Sequence, residues 1–205
     1  GKRPLQRGGV EAPAGSLDFR VVGRQGQVVS STGGSRSPGA PVEVDVSDLL
    51  YEMPARYLFS QAYALLDLPF ALWRPAPPGA AGLRSALRNY KMGLEMLAWF
   101  TPTRAGLGRA SGKSALVTLC TKLSADLHGH PMPYPRYVPM DRAEVVARWL
   151  AAQKARGQSI QLDVMVSGAV AVAKVARALE LDLHGHTVRV GGEPLEGFQN
   201  VTHTV

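Results

Sequence analysis

Ile160-Gln161-Leu162-Asp163-Val164-Met165-Val166, then Ser167-Gly168, then the small-residue run Ala169 to Leu181, is the stretch on which the fold turns. The first segment is short, mostly apolar and rich in β-branched residues, and it ends at a turn dipeptide, so it reads as a buried strand over 160–166. Ser167-Gly168 reads as a tight turn, and Ala169 to Leu181 as a helix. His184-Gly185-His186 then leads to a last strand, Thr187-Val188-Arg189-Val190, which runs into Gly191-Gly192-Glu193-Pro194-Leu195. On the upstream side, Asp141 caps an amphipathic helix, Arg142 to Arg156, with Val145, Val146, Trp149, Leu150 and Ala152 apolar and Gly157 closing it. Strands alternating with helices of this length predict an α/β fold: a layered sheet, partly parallel, with flanking helices.

Further out the pattern loosens. Ala115 to Leu127 predicts a helix that ends near His128-Gly129-His130, followed by a loop carrying Pro131, Pro133, Pro135 and Pro139. Leu83 to Met96 has helical spacing around a tolerated Gly93, and the aromatic pair Trp99-Phe100 before Thr101-Pro102 reads as core packing at the end of a helix or as a substrate-pocket wall. Leu68 to Trp73 predicts a short buried strand. Ser47 is an N-cap for a helix from Leu49 to about Leu66, which Pro54 either starts or kinks. Leu17 to Val22 and the Val28-Val29 pair are strand-like. Residues 1–16 predict an extended lead-in, 17–195 an α/β core, and 196–205 a tail.

Composition narrows the classes. Of the 205 residues, 45% are hydrophobic and 19% charged, which is enough apolar material for a folded core. No apolar run reaches the roughly 18–20 residues needed to cross a bilayer, and the N-terminus lacks a secretory apolar segment. A single cysteine, Cys120, rules out an intrachain disulfide framework and suits a reducing, cytoplasmic compartment. Lying in the apolar run Ala115 to Cys120, it is expected to be a buried structural thiol. The net charge of +7 comes mostly from arginines scattered through helices, without a basic block interleaved with aromatics. That argues against nucleic acid and for a field that draws in an anionic nucleotide or phosphorylated cofactor.

The richest loop is Val28-Val29-Ser30-Ser31-Thr32-Gly33-Gly34-Ser35-Arg36-Ser37-Pro38-Gly39-Ala40-Pro41, followed by the alternation Val42-Glu43-Val44-Asp45-Val46. Glycines leave backbone N–H groups uncovered, and successive uncovered N–H groups make an anion-binding concavity that Ser, Thr and Arg donors complete. The loop therefore reads either as a phosphate cradle between two strands or as a flexible hairpin tip. Gly106-Leu107-Gly108-Arg109-Ala110-Ser111-Gly112-Lys113-Ser114 ends like a phosphate-binding Walker loop. That pattern, however, needs a glycine where Leu107 stands and a preceding strand, and Trp99 to Ala105 reads as loop. Asp-Leu-His-Gly-His occurs twice, at 126–130 and 182–186. The two pairs are candidate metal ligands with Asp126 and Asp182, or histidines set against helix C-termini; their spacing matches no established metal site, so no metal is assigned.

Taken together, Ser30 to Gly39, Val164-Met165-Val166-Ser167-Gly168, and His184 to Leu195 resemble the adenylate-forming enzymes, in the branch of phenylacetate–CoA ligases and acyl-protein synthetases. Leu72-Trp73-Arg74-Pro75 and Trp99-Phe100 are similar to that branch as well. The resemblance spans residues 28–195 and implies part of the N-terminal core of such an enzyme. It implies ATP-dependent activation of a carboxylic acid to an acyl-adenylate, with Mg²⁺, followed by transfer to a thiol such as that of CoA. By the same resemblance Ser31, Thr32, Gly33, Gly34, Ser35 and Arg36 would hold phosphate, and Gly191, Gly192, Glu193 and Pro194 would pass along adenine and ribose. Trp73, Trp99 and Phe100 are offered as walls of the acyl pocket.

The sequence departs from that family in ways that shape the expectation. Arg36 is the cation near the phosphate loop where the family often has lysine. The family's later motifs, its ribose-binding Asp and its mobile C-terminal domain with a catalytic lysine, have no counterpart before Val205. The chain is thus expected to be a partial ligase, completed by further sequence or a second polypeptide, or alternatively a non-catalytic nucleotide-binding or scaffold protein of the same fold. An unrelated α/β binding domain is the third reading. No nucleic acid or membrane partner is expected.

Overall fold

The structure, a computed structural model, describes residues 4–7, 10–13, 28–31, 41–44, 48–76, 80–103 and 111–191. The chain divides into two compact units, residues 1–52 and 53–205. In the first, β1 (Pro4–Arg7) and β2 (Val10–Pro13) form an antiparallel pair, with Pro4 opposite Pro13 and Arg7 opposite Val10. Where the sequence predicts an extended lead-in, residues 4–7 and 10–13 thus pair as antiparallel strands. A second antiparallel pair joins β3 (Val28–Ser31) and β4 (Pro41–Val44), with Val28 opposite Val44 and Ser31 opposite Pro41. The helix α1 (Asp48–Ala62) carries Pro54 inside it.

The second unit is built on Phe70-Ala71-Leu72-Trp73, strand β5, every residue of which is 0% exposed. An unbroken apolar run of this kind marks a strand covered on both faces, the environment of a parallel sheet. Along the chain follow α2 (Ala80–Lys91), β6 (Met96–Thr101), α3 (Ser111–Leu127), β7 (Arg136–Tyr137), a 3₁₀ turn (Met140–Arg142), α4 (Ala143–Ala155), β8 (Gln161–Val164), α5 (Val166–Ala178) and β9 (Thr187–Val190). The last five strands make one sheet in the order β7-β6-β5-β8-β9, with every pair parallel. The sheet grows outward from β5 to β7, then returns to the other side of β5 with β8. That reversal defines a topological switch point, and ligands of doubly wound sheets bind in the crevice at the carboxyl ends of the strands there.

Strand alternation sorts the core into two layers. Phe70 and Leu72 face one side with Met96, Trp99 and the α2 residues Ala86 and Tyr90. Ala71 and Trp73 face the other with Leu162, Val164, Val146 and Leu150 of α4 and Val172 of α5. Full burial of each large side chain contributes about 1.5–3 kcal/mol, so Phe70, Leu72 and Trp73 anchor both layers from one strand.

The predicted helix over 83–96 needs correction. Helix α2 stops at Lys91; Gly93 has φ +79°, and the Leu94 N–H donates to the Asn89 carbonyl. A glycine in the left-handed region ends a helix, and so Met96 to Thr101, including Trp99-Phe100, is free to form a strand. That strand also corrects one of the two arguments against a Walker loop, since a strand does precede residues 106–114; the misplaced glycine at Leu107 still stands against it. The strand expected at 17–22, the phosphate loop at 32–40, residues 104–110 and everything from Gly192 onward lie outside the described residues. Among the described residues no helix is long and apolar enough to cross a membrane.

Candidate functional site at the carboxyl edge of the sheet

The carboxyl end of β5 delivers Arg74 into the space beside β8 and β9. Its backbone is fixed on both sides: the N–H donates to the Phe100 carbonyl at 3.1 Å, and the carbonyl accepts from the Trp99 indole Nε1 at 3.1 Å. The guanidinium then spans two strands. Nε donates to Asp163 Oδ1 at 2.5 Å, and Nη2 donates to the Val164 carbonyl at 3.1 Å. Both Nη1 and Nη2 reach the Gly191 carbonyl at 3.5 Å.

Asp163 sits on β8 between two arginines. Its other oxygen, Oδ2, accepts from Arg189 Nη2 at 2.9 Å, and the same Nη2 lies 2.9 Å from Asn89 Oδ1 on α2. The side chains of Arg74, Asp163 and Arg189 are only 14%, 5% and 15% exposed. Strand pairing explains the cluster, because Leu72, Asp163 and Arg189 are in register across β5, β8 and β9 and point to one face. Two guanidiniums around one carboxylate leave a residual positive charge at the carboxyl edge of the sheet. Removing Asp163 would leave two buried guanidiniums without their carboxylate, a change that costs several kcal/mol, whereas removing one arginine leaves the carboxylate paired with the other.

Of the residues that the sequence nominates, Gly191 follows directly on β9 and lies against Arg74. Gly192, Glu193 and Pro194 lie outside the described residues, as do Thr32, Gly33, Gly34, Ser35 and Arg36. Ser31 is the last residue of β3. Trp73, Trp99 and Phe100, offered as acyl-pocket walls, are packed as core. Trp73 is 0% exposed and its Nε1 donates to the Val138 carbonyl at 2.9 Å, while Phe100 meets Trp149 edge to face at 5.5 Å. With Trp99 Nε1 bound to the Arg74 carbonyl, both indoles have their one donor engaged.

No family model, curated protein or solved structure matches the chain.

Arg74, Asp163, Arg189 and Asn89 were not singled out by sequence reasoning. A signal did exist: Asp163 interrupts an apolar strand and Arg189 alternates with valines, and charges in buried strands persist only when paired. Cys120 requires a correction. It is exposed, not buried, because α3 turns that side to an open groove of about 650 Å³ between α2 and α3. Leu83, Leu87, Tyr90, Lys91, Ser124 and Met132 are among its other walls.

The histidines of the two Asp-Leu-His-Gly-His segments make local contacts. His128 Nδ1 contacts the Ser124 carbonyl at 2.6 Å, and the His130 ring stacks on Tyr90 at 5.3 Å. His186 is bound through both ring nitrogens: the Ile160 N–H reaches Nδ1 at 3.2 Å, and Nε2 faces the Leu150 carbonyl at 2.9 Å. This arrangement requires the neutral ring with its proton on Nε2. Burial, foremost, holds the pKa of His186 below its ordinary value. His184 is exposed, and its N–H is capped by Asp182 Oδ1 at 2.9 Å. Among the described residues no group of three His, Cys, Asp or Glu side chains is arranged to hold a metal ion.

Proposed function

We propose that this chain supplies the nucleotide-binding core of an adenylate-forming ligase, which activates a carboxylic acid with ATP to an acyl-adenylate for transfer to a thiol. The observation that carries the reading is the position of Gly191. The Gly-Gly-Glu-Pro sequence starts at the carboxyl end of β9, one strand out from the β5–β8 switch point and on the side of the sheet where such folds take ligands. Glycines at a strand end let a nucleotide base approach the backbone. The residual positive charge of Arg74 and Arg189 over Asp163 favours an anion at the same edge.

Asp163 does not fit a Mg²⁺ ligand, because both of its oxygens are engaged by arginines. Mg²⁺ would instead arrive bound to the phosphates of ATP, whose charge it offsets. The phosphate-loop residues Ser31 to Arg36 keep the role that their resemblance implies, and CoA is the proposed acceptor thiol. A cytoplasmic setting belongs to the same proposal.

The test is carboxylate-dependent ATP–pyrophosphate exchange over a panel of aromatic and aliphatic acids. It is run with the chain alone and with the C-terminal domain of a phenylacetate–CoA ligase supplied in trans. Exchange above background with one class of acid supports the reading, and background exchange throughout, together with no ATP binding, overturns it. A second reading, a nucleotide-binding scaffold that pairs with another polypeptide, draws support from apolar side chains left in solvent. Tyr57, Leu58 and Phe59 of α1, Tyr63 just after it, and Leu116, Leu119, Leu123 and Leu127 of α3 are all exposed. ATP binding without exchange under every condition favours that reading.

A further inference from the structure

We infer that Arg74 is a positioning residue for the proposed nucleotide site, fastening Gly191 at the end of β9. The inference rests on the nucleotide reading above only for its consequence; the fastening itself is a matter of geometry.

Three features single out Arg74. First, it cannot drift, because its N–H and carbonyl are held by Phe100 and by the Trp99 indole, both on β6. Second, its guanidinium carries the join between β8 and β9 one residue past their last ladder pair, Val164 with Val190. It binds the carbonyls of Val164, the last residue of β8, and Gly191, the first after β9, at 3.1 and 3.5 Å. Third, its orientation is set from behind by Asp163, which is itself steadied by Arg189, and Arg189 in turn by Asn89. The chain of contacts therefore runs from α2 through β9 and β8 to the guanidinium and returns to β9 at Gly191.

A planar guanidinium can donate to a carboxylate and to two separate carbonyls at once, whereas a lysine ammonium is a point charge that cannot span them in that geometry. Gly191 has no side chain to pack, so nothing of its own can anchor the strand end. The bond from Arg74 substitutes for that missing packing.

The test uses Arg74→Lys and Arg74→Gln in the full chain, read in two ways. The first is amide hydrogen exchange by mass spectrometry, comparing peptides covering residues 187–195 with a reference peptide from α4. The second is the affinity for ATP, measured by titration. Both variants are expected to speed exchange at 187–195 by about tenfold or more, the scale of one lost hydrogen bond to a charged group, while α4 exchange stays at the wild-type rate. ATP affinity is expected to fall by a similar factor, less in Arg74→Lys than in Arg74→Gln. Arg74→Lys retains the charge and keeps the test open should Arg74→Gln not fold. Unchanged exchange at 187–195 in Arg74→Lys overturns the fastening. Faster exchange with unchanged ATP affinity overturns its bearing on the site. Failure of the wild-type chain to bind ATP overturns the nucleotide reading, and the exchange result still decides the fastening.

Discussion

Gly82 lies so close to Trp99 that a Cβ added to it would stand 2.7 Å from the ring atom Cζ2, and 2.5 Å from the Pro75 carbonyl oxygen. In an exposed helix, replacing glycine by alanine stabilises by about 1 kcal/mol. At Gly82 the sign reverses, because the indole is core and the carbonyl is backbone, and neither can give way cheaply. Gly82→Ala is expected to destabilise by about 1–3 kcal/mol, the scale of overpacking, read as a lower urea midpoint. A midpoint at or above wild type contradicts the packing of α2 against β6.

Asp163 pairs with two buried guanidiniums, and their mutual dependence can be measured. Asp163→Asn is expected to cost about 3–5 kcal/mol by chemical denaturation, since it leaves both cations underpaired. Arg189→Gln should cost less, because Arg74 still occupies the carboxylate. In the double variant the losses should fall short of their sum by at least about 0.5 kcal/mol. Additive losses would mean that the two residues do not share an interaction.

His186 makes stability depend on pH. Its folded pKa lies below the unfolded value of about 6.5, so the unfolded chain binds the proton more readily. The stability it contributes is complete above that value and declines as the pH falls toward the folded pKa, because protonating Nδ1 breaks the bond from the Ile160 N–H. Thermal melts from about pH 7.5 down to pH 5 should show the wild type losing more stability than His186→Gln, whose amide retains a donor and an acceptor. Parallel curves would remove His186 as a source of the dependence.

Cys120, the sole thiol, should react in the native state. A charged maleimide is expected to label it at a rate within about tenfold of the urea-unfolded chain, as for an exposed thiol. Protection of a hundredfold or more would mean that the groove face of α3 is covered in solution.

The α/β class and the last strand, Thr187 to Val190, were legible because apolar runs fall where strands fall, although the tight turn expected at Ser167-Gly168 is instead the first turn of α5. Two errors have one physical root, the direction in which a helix ends or faces. Gly93 was read as an interior glycine, since a sequence does not display φ, and the strand β6 was consequently absorbed into a helix. Cys120 belongs to an apolar run, but α3 presents part of its apolar side to a groove, and periodicity alone does not reveal which stripe meets the core. The ionic cluster was illegible for a different reason. Arg74, Asp163 and Arg189 are separated by 89 and 26 residues along the chain, and only the parallel register brings them together.

The placing of β8 beside β5 also has a bearing on biosynthesis. The central strand is finished at Trp73, but the partner on one of its sides, Gln161 to Val164, emerges much later. At translation rates of about 5–20 residues per second, that side of β5 stays unpaired for on the order of ten seconds. During this interval Phe70-Ala71-Leu72-Trp73 is an apolar edge open to any neighbouring strand. Chaperone occupancy on the nascent chain should therefore peak after β5 emerges and drop once residue 164 has left the ribosome.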